Sequence, residues 1–112
     1  MKAYREVNLE TLVSNSADAM AIIKQTIKNG KASGIGCVMF IHGYGSSGKG
    51  GIIRVKARQW LNAQVRNGVV KAVVNGEDFN IFNFKALELK NRYKELEPLL
   101  KVVNTGVTVV EL

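Results

Sequence analysis

The stretch "GCVMFIHG", residues 36–43, constrains this chain more than any other. Its apolar residues run on without the polar alternation of a half-exposed strand, and its length suits a central β-strand covered on both faces. The chain is long enough to supply those covers. With 112 residues, 46% of them apolar, it can build one core and has no room for a second domain, so a single domain over residues 1–112 is expected. "YREVNL" (4–9) alternates as a short strand. "SNSADAMAIIKQTIKNG" (14–30) reads as a helix capped by Ser14 or Ser16. It carries Asp18 in its first turn, buries Met20, Ile23 and Ile27, and stops at Gly30. From about Gly51 to Arg66, Ile53, Ala57, Trp60, Leu61 and Gln64 recur at helical spacing, with Trp60 on the core side and Gly68 as the stop.

"VVKAVV" (69–74) is the next strand, followed by the turn signal Asn75-Gly76. "NFKALELKNRYKELE" (83–97) forms a third helix with Leu89, Tyr93 and Leu96 turned inward. Glu88 and Arg92 pair across one turn, and Pro98 stops it. "GVTVVEL" (106–112) closes the chain as a strand. The order β-α-β-α-β-α-β, with short helical crossovers, favours right-handed connections and a mostly parallel, four-stranded sheet in an α/β fold.

Nothing in the sequence approaches the roughly 20 apolar residues of a membrane span, and "MKAYREVNLETL" lacks the apolar centre of a signal peptide. The single cysteine, Cys37, lies inside the apolar run and reads as a core residue. A cytoplasmic location with no membrane contact is the expectation.

Charge is segregated along the chain. Between Asp18 and Glu77 lie 58 residues without a carboxylate, and they hold nine cations: Lys24, Lys28, Lys31, Lys49, Arg54, Lys56, Arg58, Arg66 and Lys71. Elsewhere seven basic residues meet nine acidic ones, so the whole excess behind the net charge of +7 falls in that interval. Such segregation suits a polyanionic partner. Lys24, Lys28 and Lys31 share one helix face and have no acidic neighbour at helical spacing, an arrangement suited to phosphate.

The glycine loop "HGYGSSGKGG" (42–51) satisfies two nucleotide-binding patterns textually and neither chemically. After its lysine a P-loop carries Ser or Thr to help hold Mg²⁺, and Gly50 stands there instead. A dinucleotide loop follows the first strand of its unit and needs a carboxylate about 20 residues on, where "NAQVRNG" offers none. What both patterns share remains: glycines between a strand and a helix N-terminus turn backbone N–H groups towards an anion. Lys49 and Arg54 at that helix start oppose its dipole unless an anion is bound. His42 stands where the strand enters the loop, either as a brace of loop backbone or as a proton-transfer group beside a phosphodiester.

"FIHGYGSSGKGGIIRVKARQWL" (40–61) resembles the second motif of the Smr (small MutS-related) domain family. There a strand ends in H-G-x-G, matched by His42, Gly43 and Gly45, and the next helix carries an early arginine and a later W-L, matched by Arg54, Trp60 and Leu61. The closing "GVTVVEL" is similar to the family's last strand. The resemblance implies a compact two-layer domain on a four-stranded sheet, like the C-terminal domain of a bacterial translation initiation factor. It also implies nucleic-acid binding, DNA or RNA, and, in several members, nicking or cleavage. The chain departs from the family twice. At the first motif, L-D-x-H-G, it reads Val7, Asn8, Leu9, Glu10, Thr11, so Asn8 replaces the aspartate and Glu10 the histidine. Glu10 would repel phosphate unless protonated or bound to a divalent metal, the one cofactor this reading leaves open. The second departure is the added segment around the third helix, whose mixed charge suits a cover or a protein contact surface.

On this reading Gly43, Gly45, Ser46, Ser47, Gly48, Lys49, Arg54 and Arg58 form a nucleic-acid contact region, extended by Lys24, Lys28 and Lys31. If the domain cuts, His42 is the acid or base and Glu10 its orienting carboxylate. The degenerate first motif favours binding over cleavage. A protein-interaction module that keeps the fold and uses the 84–97 helix is the alternative.

Overall fold

A computed structural model describes residues 2–13, 15–43 and 49–112, with side chains throughout except at Lys49 and Gly50. Strand β1 (Ala3–Asn8) runs into a one-turn helix α1 (Leu9–Leu12), then α2 (Ser16–Ser33), β2 (Ile35–Ile41), α3 (Lys49–Arg66) and β3 (Ala72–Asn75). A 3₁₀ turn (Gly76–Asp78), helix α4 (Phe84–Arg92), a 3₁₀ segment (Lys94–Lys101) and strand β4 (Val107–Glu111) complete it. The sheet order is β1-β2-β4-β3. Strand β2 pairs parallel with β1, and β4 pairs antiparallel with both β2 and β3. Three strands therefore share one direction and β4 opposes them from inside the sheet.

The run that began the sequence reading is the reason for this layering. Along β2 the period of two sends Val38 and Phe40 to one face, where they meet Ile23, Ile27, Ile53, Ala57 and Leu61 of α2 and α3. Cys37 and Met39 go to the other face and meet Ala86 and Leu89 of α4 with Leu96 and Leu99 of the 3₁₀ segment. A strand apolar on both faces needs two covers, so the expected two layers become three. The added segment is the third layer, and its core side includes Leu89, Tyr93 and Leu96 as expected. Burial pushes the Cys37 thiol up to about 12, with Glu111 adding to the effect.

Several local expectations shift for identifiable reasons. Asn15, rather than Ser16, caps α2 by accepting the Asp18 N–H at 2.8 Å, while Ser14 lies outside the described residues. Helix α2 passes through Gly30, which packs so close to Ile35 and Leu112 that a Cβ would stand 3.3 Å from Ile35 Cβ. It stops at Gly34, whose φ of 81° closes the helix in the left-handed region. The third helix ends early, at Arg92, because Tyr93 is extended. Pro98 sits inside the 3₁₀ segment; lacking an N–H and crowding the carbonyl four residues back, it disfavours a continuous α-helix through that turn. Trp60 is only half-buried, against the expectation of a core position. Among the described residues no helix is long and apolar enough to cross a membrane.

Candidate nucleic-acid interface

Register brings the ends of β1, β2 and β3 and the start of β4 to one edge of the sheet, since Asn8 pairs with Ile41, Ile41 with Val107, and Asn75 with Thr108. His42 lies one residue beyond β2 at that edge. The alternation that turns Phe40 towards α2 and α3 turns His42 the same way, and its side chain is fully buried. The N–H groups of His42 and Gly43 both donate to the Gly106 carbonyl at 3.0 Å, which ties the start of the glycine loop to the entry of β4.

The imidazole has a partner on each nitrogen. Nδ1 lies 3.1 Å from the Gly43 carbonyl, which can only accept, so Nδ1 carries the proton. Nε2 lies 2.9 Å from Thr108 Oγ1 and accepts from that hydroxyl. Thr108 Oγ1 in turn accepts from Arg58 Nε at 3.0 Å. Arg58 spends the rest of its guanidinium on both carboxylate oxygens of Glu77, at 2.8 Å each, and on the Val107 carbonyl at 3.0 Å. This fork geometry suits a carboxylate. The chain of donors runs Arg58 to Thr108 to His42 to the Gly43 carbonyl, and it spans α3, β4 and β2.

Electrostatics follow from that packing. Desolvation, with the charges of Arg58 and Arg54 beside it, holds His42 down at about 4 against an ordinary 6.5, while the Gly43 carbonyl pulls the other way. Burial alone would raise the Glu77 carboxyl, but the hydrogen bonds and charge of Arg58 outweigh it and set it below its usual range.

Glu10 reaches the same edge. Its carboxylate lies against the Gly43 α-carbon, so that a Cβ on Gly43 would stand 2.5 Å from Glu10 Oε2; Gly43 also has a φ of 85°. Glycine is required there twice over. Glu10 is not a hydrogen-bond partner of His42, whose nitrogens are held by Thr108 and Gly43. Asn8, in the place of the family's aspartate, caps α1 by accepting the Glu10 N–H at 3.0 Å. Among the described residues no three His, Cys, Asp or Glu side chains gather as a metal site.

The expected phosphate contacts divide into three groups. Gly45, Ser46, Ser47 and Gly48 lie outside the described residues, and Lys49 opens α3. Arg54 has no ion-pair partner among the described residues and borders a shallow depression with Gly51, Ile52, Val55, Lys56 and Gln59. Arg58 is committed to Glu77, Thr108 and the Val107 carbonyl, which use Nε, Nη2 and one N–H of Nη1. Lys24, Lys28 and Lys31 line a groove of about 580 Å³ along the α2/α3 seam, floored by Ile27, Trp60 and Val69. Lys56 bridges the seam nearer the glycine loop, reaching Ser16 Oγ at 3.3 Å.

Sequence reasoning missed Thr108 and Glu77. A hydroxyl inside an otherwise apolar strand and the first carboxylate after the acid-free interval were the available signals. Neither names its partner, because Arg58 lies 50 and 19 positions away.

The Smr domain family model matches residues 8–78, from the end of β1 through His42 and α3 to Glu77 and Asp78. The fold is similar to that in the crystal structure of the Smr domain of Thermus thermophilus MutS2. The TM-score is 0.60 and the identity 22%, over 96% of each chain. No curated protein matches the chain. With the matched stretch covering more than half of the chain, His42, Arg58 and Glu77 among it, the chain belongs to the Smr domain family.

Proposed function

We propose that the domain binds nucleic acid across the start of α3 and the α2/α3 face, holding phosphates without cutting them. The observation that carries this reading is the placement of charge. Arg54, Lys24 and Lys28 form no salt bridge among the described residues and lie in the stretch without carboxylates, whereas the opposite layer mixes both signs and pairs Lys85 and Arg92 with Glu88 and Glu111. Lys49 opens α3, and the first amides of that helix add the anion-binding chemistry of a helix N-terminus. Binding is favoured over cleavage by His42, whose two nitrogens are engaged and whose side chain is closed to solvent. Arg58 then acts as a brace, not a phosphate contact.

The test is affinity for mixed-sequence DNA and RNA as a function of salt. If n phosphates are neutralised on duplex DNA, log K falls with log salt at a slope of about −0.9n. Lys49→Glu and Arg54→Glu weaken binding strongly, while Lys90→Glu on α4 changes it little. Equal effects from all three, or a salt-independent affinity, would sink the proposal. Supercoiled plasmid incubated with the protein and Mg²⁺ or Mn²⁺ stays intact; nicking that His42→Ala abolishes without lowering Tm would restore the nuclease reading.

A second reading has its own observation. Phe82 and Phe84, at the start of α4, are 92% and 84% exposed, and Ile81 beside them is exposed too. Apolar groups so open to water suit a protein contact on the third layer. Replacing both phenylalanines by serine leaves nucleic-acid affinity unchanged and removes any such association, read by pull-down.

A further inference from the structure

The groove around Trp60 has no role in the His42 edge and is more than a basic surface. Its floor is apolar, its rim carries three lysines and no carboxylate, and Trp60 stands half-open within it. Gln64 holds the helix beneath by donating to the Trp60 carbonyl at 3.3 Å. Lys31 donates to the Val69 carbonyl and closes one end. Lys24 Nζ lies over one face of the indole, 5.7 Å from its centre, so a cation already packs on the aromatic ring. Lys28 is exposed on the same rim.

From this geometry we infer that the Trp60 groove is a stacking subsite for an unpaired nucleobase, with Lys24 and Lys28 on the adjoining phosphates, so that this domain engages single-stranded nucleic acid. The inference rests on the nucleic-acid reading above and adds strand state to it. A nucleotide carries a flat ring and an anion on one short sugar, and the groove offers an indole beside ammonium groups at that scale. An acidic peptide would satisfy the lysines and leave the indole without a matching group. A duplex cannot use the site, because its bases are stacked and turned inward; it would meet the lysines alone.

Trp60 is the only tryptophan in the chain, so its fluorescence reports on this groove directly. The full chain is titrated with a short oligothymidylate, with an abasic strand of equal length, with a duplex and with poly-glutamate, while anisotropy of labelled strands reads affinity independently. Oligothymidylate quenches Trp60; the abasic strand and the duplex bind without quenching. Trp60→Leu weakens oligothymidylate binding roughly 5- to 100-fold and leaves duplex and abasic affinities within about two-fold. Trp60→Phe, which keeps an aromatic face, recovers most of the loss. Because Trp60 also packs against the core, the unchanged duplex affinity of Trp60→Leu serves as its folding control. Equal quenching by duplex or abasic strand, or a Trp60→Leu loss shared by all probes, overturns the inference and leaves nucleic-acid binding standing. Stronger quenching by poly-glutamate overturns it in favour of an acidic protein partner. Failure of every nucleic-acid probe to bind removes the underlying reading and this one with it.

Discussion

At His42 both ring nitrogens are engaged before any ligand arrives. A second proton would place a positive charge in a buried site beside the Arg58 and Arg54 charges and oblige the Thr108 hydroxyl to turn its own proton away from Nε2. The folded chain therefore resists a proton that the unfolded chain accepts. Between about pH 6.5 and about 4 the unfolded state binds more protons, so stability is full above that window and falls as pH drops through it, by up to about 3 kcal/mol, then levels for this group. Denaturation midpoints at stepped pH check this, and His42→Ala flattens the slope across the window. At neutral pH the same substitution costs roughly 1–3 kcal/mol, since it leaves the Thr108 hydroxyl without its acceptor and the Gly43 carbonyl without its donor. Glu77 acts lower: its depressed carboxyl gives stability present above the ordinary carboxylate range and lost as pH falls further. Glu77→Gln removes that deeper part of the slope and, by taking away a negative charge that raises His42, extends the His42 part to lower pH.

Elements were legible in proportion to how local their causes are. The periodicities of α2 and α3 and the apolar run of β2 placed these elements to within a few residues. The brace on Arg58 was not legible, because an arginine next to a glycine loop looks the same whether it waits for phosphate or for Glu77. Neither was the reach of Glu111, which lies in an apolar strand and is almost fully buried on the α4 side. Lys85 and Arg92 of α4 each meet it at 3.0 Å, latching the third layer to the sheet. The two halves of this latch differ in consequence. Glu111→Leu removes a buried charge and leaves two cations able to turn to water, so the loss is about 1 kcal/mol or less. Lys85→Met with Arg92→Leu leaves the buried carboxylate without its partners and costs more, about 1–3 kcal/mol, solvent near the rim screening part of the loss. Equilibrium unfolding of the two variants reads the asymmetry, and equal losses would mean that the latch works through packing alone.

For the whole molecule, the decisive fact is that the sheet separates two kinds of surface. The α2/α3 side bears Lys24, Lys28 and Arg54 without salt bridges together with the Trp60 groove, while the α4 side pairs Lys85 and Arg92 with Glu88 and Glu111 and exposes Phe82 and Phe84. On the two readings proposed above, one face takes a polyanion and the other makes contacts insensitive to salt, so a salt titration should separate them. The sheet order has a consequence in time as well. Strands β2 and β3 touch only through β4, the last of the four strands to be made. While a ribosome is still making the domain, β3 has no neighbour, one edge of β2 is bare, and Thr108 is not yet there to receive His42. Neither side of the protein can take its working shape until residues 107–111 have emerged and slid between them. The domain should thus appear all at once when β4 emerges, with protease resistance arriving in a single step, and chains halted before Val107 should need chaperones to keep their open edges from pairing with one another.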